Sequence, residues 1–214
     1  MTKFRILILT LAISSCSNFP LYNYGFNVVK ENYLSLNSIV VDEEYIQNSQ
    51  YAFIRVRFGS SRSTLLTLLR SKDGVLEWIS ADDIRLFTYN GKIVKTLGLP
   101  NDIEILNYQE NYAFLELDKE FSYITNFYEP RLLEQVTSIK VKNKGYKKIK
   151  NPIQGKKKLR TTLIEEKIYF ASINWNRKNK FYYNDNNQIE MTTQYLHPFS
   201  SPITIEFIKK YINK

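Results

Sequence analysis

Apolar and polar residues take turns along most of this chain, and short polar breaks interrupt the alternation at regular intervals. Residues 52–58 (Ala-Phe-Ile-Arg-Val-Arg-Phe) set the pattern. Side chains two apart share one face of a strand, so a period of two predicts half-buried strands. A second strand is predicted over 63–71, after the turn Gly59-Ser60-Ser61. Asp73-Gly74 and Asn90-Gly91 are two-residue hairpin signals, because both positions accept positive φ. They hand the chain to 75–79 and join 84–89 to 92–98. Further strands are expected over 103–107, 112–117, 160–175, 181–183, 189–196 and 202–211, with a turn at Asp185-Asn186-Asn187. The stretch 139–160 reads as an exposed strand pair, and 118–138 carries an aromatic cluster without a clear period.

One segment breaks the period. Phe26, Val29, Tyr33 and Leu36 recur at helical spacing and predict a short amphipathic helix over 25–36. The fold class is therefore all-β with one short N-terminal helix. A long antiparallel sheet has one apolar face to hide, and one helix cannot cover it. The expected solution is a meander over 25–214, twisted and curled into a half-barrel around that helix.

The first sixteen residues follow a different logic. Lys3 and Arg5 precede an apolar run from Ile6 to Ile13, then small Ser14 and Ser15, then Cys16. This is the layout of a secretory signal. Ile13-Ser14-Ser15-Cys16 resembles a lipobox, in which the thiol takes a diacylglycerol and small residues precede the cut. The apolar run is far shorter than the ~20 residues that span a bilayer. The expected organisation is a signal over 1–15, a lipidated tether over 16–24 and one domain beyond it. Ser17 after the cysteine favours the outer membrane, at its periplasmic face, by analogy with bacterial sorting.

Composition adds three constraints. Sixteen Tyr and thirteen Phe strengthen the strand reading, since flat side chains pack well on a pleated surface. Cys16 is the single cysteine and His197 the single histidine, so an intrachain disulfide and a cysteine or multi-histidine metal site are excluded. The net charge is +9, falling to about +7 once Lys3 and Arg5 leave with the signal. A basic surface attracts nucleic acid, anionic headgroups or acidic polysaccharide. Export and lipidation argue against nucleic acid.

The charge is concentrated between Lys140 and Arg160, which includes Lys147, Lys148, Lys156, Lys157 and Lys158. Those lysines suit a contact with acidic polysaccharide or headgroups, and equally a solvated edge that discourages unwanted strand pairing. Trp78 suits a sugar-stacking platform, although a strand tryptophan more commonly packs in a core. Catalytic signals are poor. Asp82-Asp83, Glu43-Glu44 and Glu165-Glu166 are adjacent pairs, which on a strand face opposite ways. His197, before Pro198, reads as a surface loop residue. No Gly-x-Ser-x-Gly elbow or Gly-rich phosphate loop occurs. The chain reads as a non-enzyme without cofactors.

The combination resembles the YjbF/GfcB lipoproteins of group 4 capsule and exopolysaccharide operons. The likeness is carried by Tyr51-Ala52 and the strand after it, by Trp78-Ile79-Ser80, and by the run from Tyr89-Asn90-Gly91-Lys92 to Leu99. A second block is 181–195 with Pro202-Ile203-Thr204-Ile205-Glu206-Phe207. Gln50 stands where the family often has Pro, and Asn184-Asp185-Asn186-Asn187 replaces its late Asp-x-x-Thr-Gly turn. The resemblance implies an outer-membrane lipoprotein with a half-barrel like those of lipoprotein carriers. It implies a role in capsule or exopolysaccharide assembly or export, with export-machinery proteins as partners. The runner-up is a carrier that holds an acyl ligand in the half-barrel concavity.

Overall fold

The structure is a computed structural model, and it describes residues 43–108, 120–154 and 157–211. The signal, Cys16, the tether, the helix expected over 25–36 and the strand expected over 112–117 lie outside these residues. Twelve strands occupy the described residues, in the order β1 (Phe53–Phe58), β2 (Ser63–Lys72), β3 (Val75–Ile79), β4 (Arg85–Tyr89), β5 (Lys92–Leu97), β6 (Ile103–Ile105), β7 (Glu120–Tyr128), β8 (Arg131–Lys150), β9 (Lys158–Phe170), β10 (Trp175–Tyr183), β11 (Ile189–Gln194) and β12 (Ile203–Lys209).

Each strand pairs antiparallel with its neighbours in sequence, and β1 pairs with β12. The sheet is thus a closed up-and-down barrel, which corrects the expected half-barrel. The reason is the seam. Phe58 faces Ile203, Val56 faces Ile205 and Ile54 faces Phe207, so both free edges are consumed.

The two hairpin signals behave as their sequence dictates. Asp73 and Gly74 have φ of 51° and 79°, and Asn90 and Gly91 have 48° and 83°. Positive φ at both central residues is the turn that matches strand twist. The break at 171–174 is a departure. A 3-10 turn, Ala171–Ile173, ends β9, and Asn174 takes a left-handed conformation at φ 48°. Asn tolerates that region where most side chains do not. The single strand expected over 160–175 is therefore the end of one strand and the start of the next.

Alternation fills the barrel from its own walls. Ile54, Val56, Leu66, Trp78, Ile205 and Phe207 form one core cluster, all buried. Ile139, Val141, Ile168, Phe170, Trp175 and Phe181 belong to another. The first comes from β12 and β1 to β5, the second from β6 to β10. Ile189 and Leu196 pack against both clusters, and between them Gln194 on β11 reaches across to β5. Its Oε1 accepts from Ile93 N at 2.9 Å and its Nε2 donates to Gly91 O at 2.8 Å. Gly91 is required there, since a Cβ would sit 3.0 Å from Ile189 Cγ1 and the backbone is left-handed.

Among the described residues the α-helix is Glu43–Asn48, just before β1, and none of its residues is buried. Ile46 packs on a separate cluster of Phe53 and Ile208, and Tyr45 meets the Phe53 ring edge-on at 5.5 Å. Lys209 Nζ donates to Ile46 O at 2.8 Å, placing a cation at the helix C-terminus where the peptide dipoles favour it.

Candidate functional site

Two sets of charged residues stand out, one on the surface and one inside. The surface set is the hairpin of β8 and β9. Twenty residues of β8 pair with thirteen of β9, from Thr137 opposite Phe170 to Lys150 opposite Lys158. The register sorts the basic residues by face. Tyr146 stands opposite Thr162, Lys148 opposite Arg160, and Lys150 opposite Lys158. Those residues share one side of the ribbon. Lys147, Ile149, Leu159 and Thr161 share the other. Ile149 and Thr161 are buried, so the second side faces the protein. The first is exposed at Tyr146, Lys148, Lys150, Lys158 and Arg160.

The tip of this ribbon is tied down. Asn151 Oδ1 accepts from Ile153 N and Gln154 N, which shapes the turn. Arg55 Nη2 on β1 donates to Pro152 O at 3.3 Å, and Gln154 Nε2 donates to Glu43. On the basic side, the Arg160 guanidinium lies 3.8 Å from the centre of the Tyr146 ring. The cation and the ring hold each other flat and exposed.

The interior set lies in the second cluster. Glu166 is fully buried and faces Val141 and Asn179 across its two neighbouring strands. Lys92 enters from β5 and ion-pairs with Glu166 Oε1. Asn179 Nδ2 donates to Oε2 at 2.8 Å, while its Oδ1 accepts from Tyr195 N at 2.7 Å. The Lys92 ammonium also sits 4.3 Å from the Tyr123 ring centre. Burial pushes the Lys92 pKa down, against the pull of Glu166. Beside this network is a cavity of about 30 Å³, bordered by Tyr123, Thr125, Thr137 and Gln194 among others. That is room for a water or so, against roughly 300–1,000 Å³ for ordinary ligand pockets. Among the described residues the barrel interior has no space of acyl-ligand size, which corrects the expected acyl-binding concavity.

The residues singled out from sequence fall in four places. Trp78 is fully buried, and its Nε1 donates to Thr88 Oγ1 at 2.8 Å. It is a core residue, out of reach of a polysaccharide. Lys148 and Lys158 stand together on the exposed ribbon face, and Lys157 is exposed in the turn. Lys147 is exposed but on the other side, with its carbonyl accepting from Thr161 Oγ1 at 2.9 Å. Cys16 and Lys156 lie outside the described residues. Tyr146, Lys150 and Arg160 complete the face, and the period of two through the lysines was the signal that groups them.

His197 is buried, contrary to the surface position expected. Its ring meets Phe127 edge-on at 5.0 Å, Nδ1 accepts from Phe199 N at 3.1 Å, and Nε2 has no hydrogen-bond partner. Burial holds its pKa below the usual histidine value. Glu165 and Glu166 split as the strand period requires, with Glu165 turned outward to Lys178 at 3.2 Å.

The outer wall is charged. Arg70, Glu77, Phe87, Lys95 and Glu104 follow one another around β2 to β6, linked by ion pairs of 2.8 Å at each end. An outer-membrane barrel carries the reverse pattern, apolar outside. Among the described residues no helix is long and apolar enough to cross a membrane.

Comparison with known proteins places these features. The profile of the family described as group 4 capsule polysaccharide lipoprotein gfcB, YjbF matches residues 27–208. Among solved structures, the hypothetical lipoprotein YmcC from Escherichia coli K12 is similar at a TM-score of 0.67 and 18% identity. The match covers 86% of this chain and 96% of that one, and it concerns the fold. No curated protein matches.

Proposed function

We propose a function from one premise: this chain belongs to the YjbF family of group 4 capsule polysaccharide lipoproteins. The protein is a non-catalytic accessory factor in capsule or exopolysaccharide assembly or export. It is held by acylated Cys16 at the periplasmic face of the outer membrane and works beside export-machinery proteins. The observation that carries this reading is the family match, which spans nearly the whole barrel from 27 to 208.

The geometry supports it in two ways. The charged outer wall suits a barrel that stands in water on a tether, not one inserted in lipid. The interior, whose cavity is about 30 Å³, suits a scaffold more than a carrier of an acyl ligand. Several acyl chains, each buried methylene contributing roughly 0.8 kcal/mol, would anchor the protein stably.

Deletion of the gene should abolish surface polysaccharide, measured as bound acidic sugar on washed cells. Normal capsule in the deletion strain would end the proposal. For the anchor, Cys16→Ala should give an unprocessed precursor that takes up no labelled palmitate. Label persisting in that variant would place the acyl chain elsewhere.

A further inference from the structure

We infer that the exposed face of the β8–β9 ribbon is a binding site for an anionic polysaccharide, with Tyr146 and Arg160 as its sugar-stacking platform. The inference rests on the capsule reading above and adds the ligand and the residues that would touch it.

Charge is the first support. No acidic residue occurs between Ile139 and Ile164, while Lys148, Lys150, Lys158 and Arg160 stand on one face within that span. None of these four has an ion-pair partner among the described residues, whereas Lys140, Lys144 and Lys178 nearby do. Neighbours along a strand on one face are about 6.6 Å apart, and directly paired residues about 5 Å. The four cations therefore form a compact ladder that suits repeating carboxylates or phosphates on a chain laid along it.

The aromatic is the second. Tyr146 is 63% exposed and yet fixed, because Arg160 stacks on it at 3.8 Å. A flat ring with one exposed face offers the apolar side of a pyranose a contact surface, and the guanidinium beside it offers planar donors to a carboxylate. The third support is order. The tip is fastened through Arg55 to Pro152 and through Gln154 to Glu43, so little conformational freedom is lost on binding.

The same cations would also meet anionic headgroups. A surface that lies in a bilayer interface carries apolar side chains beside its charges. Here the ribbon's aliphatic Ile149 and Leu159 are turned away from the basic face, whose one large ring, Tyr146, is engaged by Arg160. The arrangement favours a water-borne chain over a bilayer.

The test uses the mature lipidated protein in detergent, with polygalacturonate as the acidic probe and dextran as the neutral one. The native protein should bind polygalacturonate in a salt-sensitive manner and ignore dextran. Lys148→Glu with Lys158→Glu should weaken binding by at least about tenfold. Lys72→Glu with Lys180→Glu makes the same change in net charge on exposed positions of β2 and β10, off the ribbon, and should leave binding within about twofold. Tyr146→Ala, which keeps every charge, should weaken it by about tenfold. The inference is overturned if the native protein does not bind, if the control pair weakens binding as much as the ribbon pair, or if Tyr146→Ala has no effect. It is also overturned if polygalacturonate is not bound while phosphatidylglycerol added to the detergent micelles is bound over phosphatidylcholine and the Lys148→Glu, Lys158→Glu pair abolishes that preference. Complementation separates this from the broader reading. Capsule lost on deletion but fully restored by the ribbon variant removes the site and keeps the role, whereas normal capsule on deletion removes the role whatever the ribbon binds.

Discussion

The two halves of the barrel interior are built from the same alternation but stabilised by different means. The cluster around Trp78 is apolar wall to wall, with the indole N–H satisfied by Thr88. The cluster around Phe181 encloses a charged pair, an amide and a small cavity. Burying Lys92 and Glu166 forfeits hydration that their attraction only partly returns. Such a pair contributes less to stability than apolar residues of equal size, and it is costly to break by halves. What it does contribute is position. Lys92 follows the Asn90-Gly91 turn, and the pair fixes that hairpin against β9 on the far wall.

The contrast can be broken or sharpened by substitution. The largest effect is expected in the apolar half. Trp78→Ala should cost about 4–5 kcal/mol in urea unfolding, from lost burial, a cavity and an orphaned Thr88 hydroxyl. Lys92→Met should cost about 3 kcal/mol, because it strands the Glu166 carboxylate. Adding Glu166→Leu to it should recover most of that loss, which no double change around Trp78 would do. If the double variant is no more stable than Lys92→Met, the two halves are stabilised alike and the comparison fails. Gln194→Ala, at the boundary, removes hydrogen bonds to Gly91, Ile93 and Thr192 and should cost about 2 kcal/mol.

The smallest effect is in pH. His197 is held below 6.5 by burial, so the unfolded chain takes its proton first as pH falls. Its contribution to stability is complete above that value and is lost on acidification through the window beneath it. His197→Phe should flatten the stability profile on the acid side of about pH 6.5. An unchanged profile would mean that the ring titrates normally.

Most of the wall was legible in the chain. The period of two gave the inward face, and Asp73-Gly74 and Asn90-Gly91 fixed two registers through backbone preference alone. Closure was not legible, because Ile54 and Phe207 meet across the whole sequence and no local pattern encodes that pairing. The turn at 171–174 escaped because it contains neither Gly nor Pro and relies on Asn174. The helix at Glu43–Asn48 escaped because six residues are too few to display a period, although two leading acidic residues suit a helix start. For the site, the lysines announced themselves by density, and pairing was needed to tell Lys148 from Lys147. Glu165-Glu166 held a signal that could have been used further. On a strand one of them must point inward, and an inward carboxylate demands a cation.

The seam between Phe53–Phe58 and Ile203–Lys209 has a temporal consequence. The first strand of the wall stays open along one side until the last has been delivered. The barrel therefore cannot lock into its final shape until both ends of the wall are available, whatever route delivers the chain.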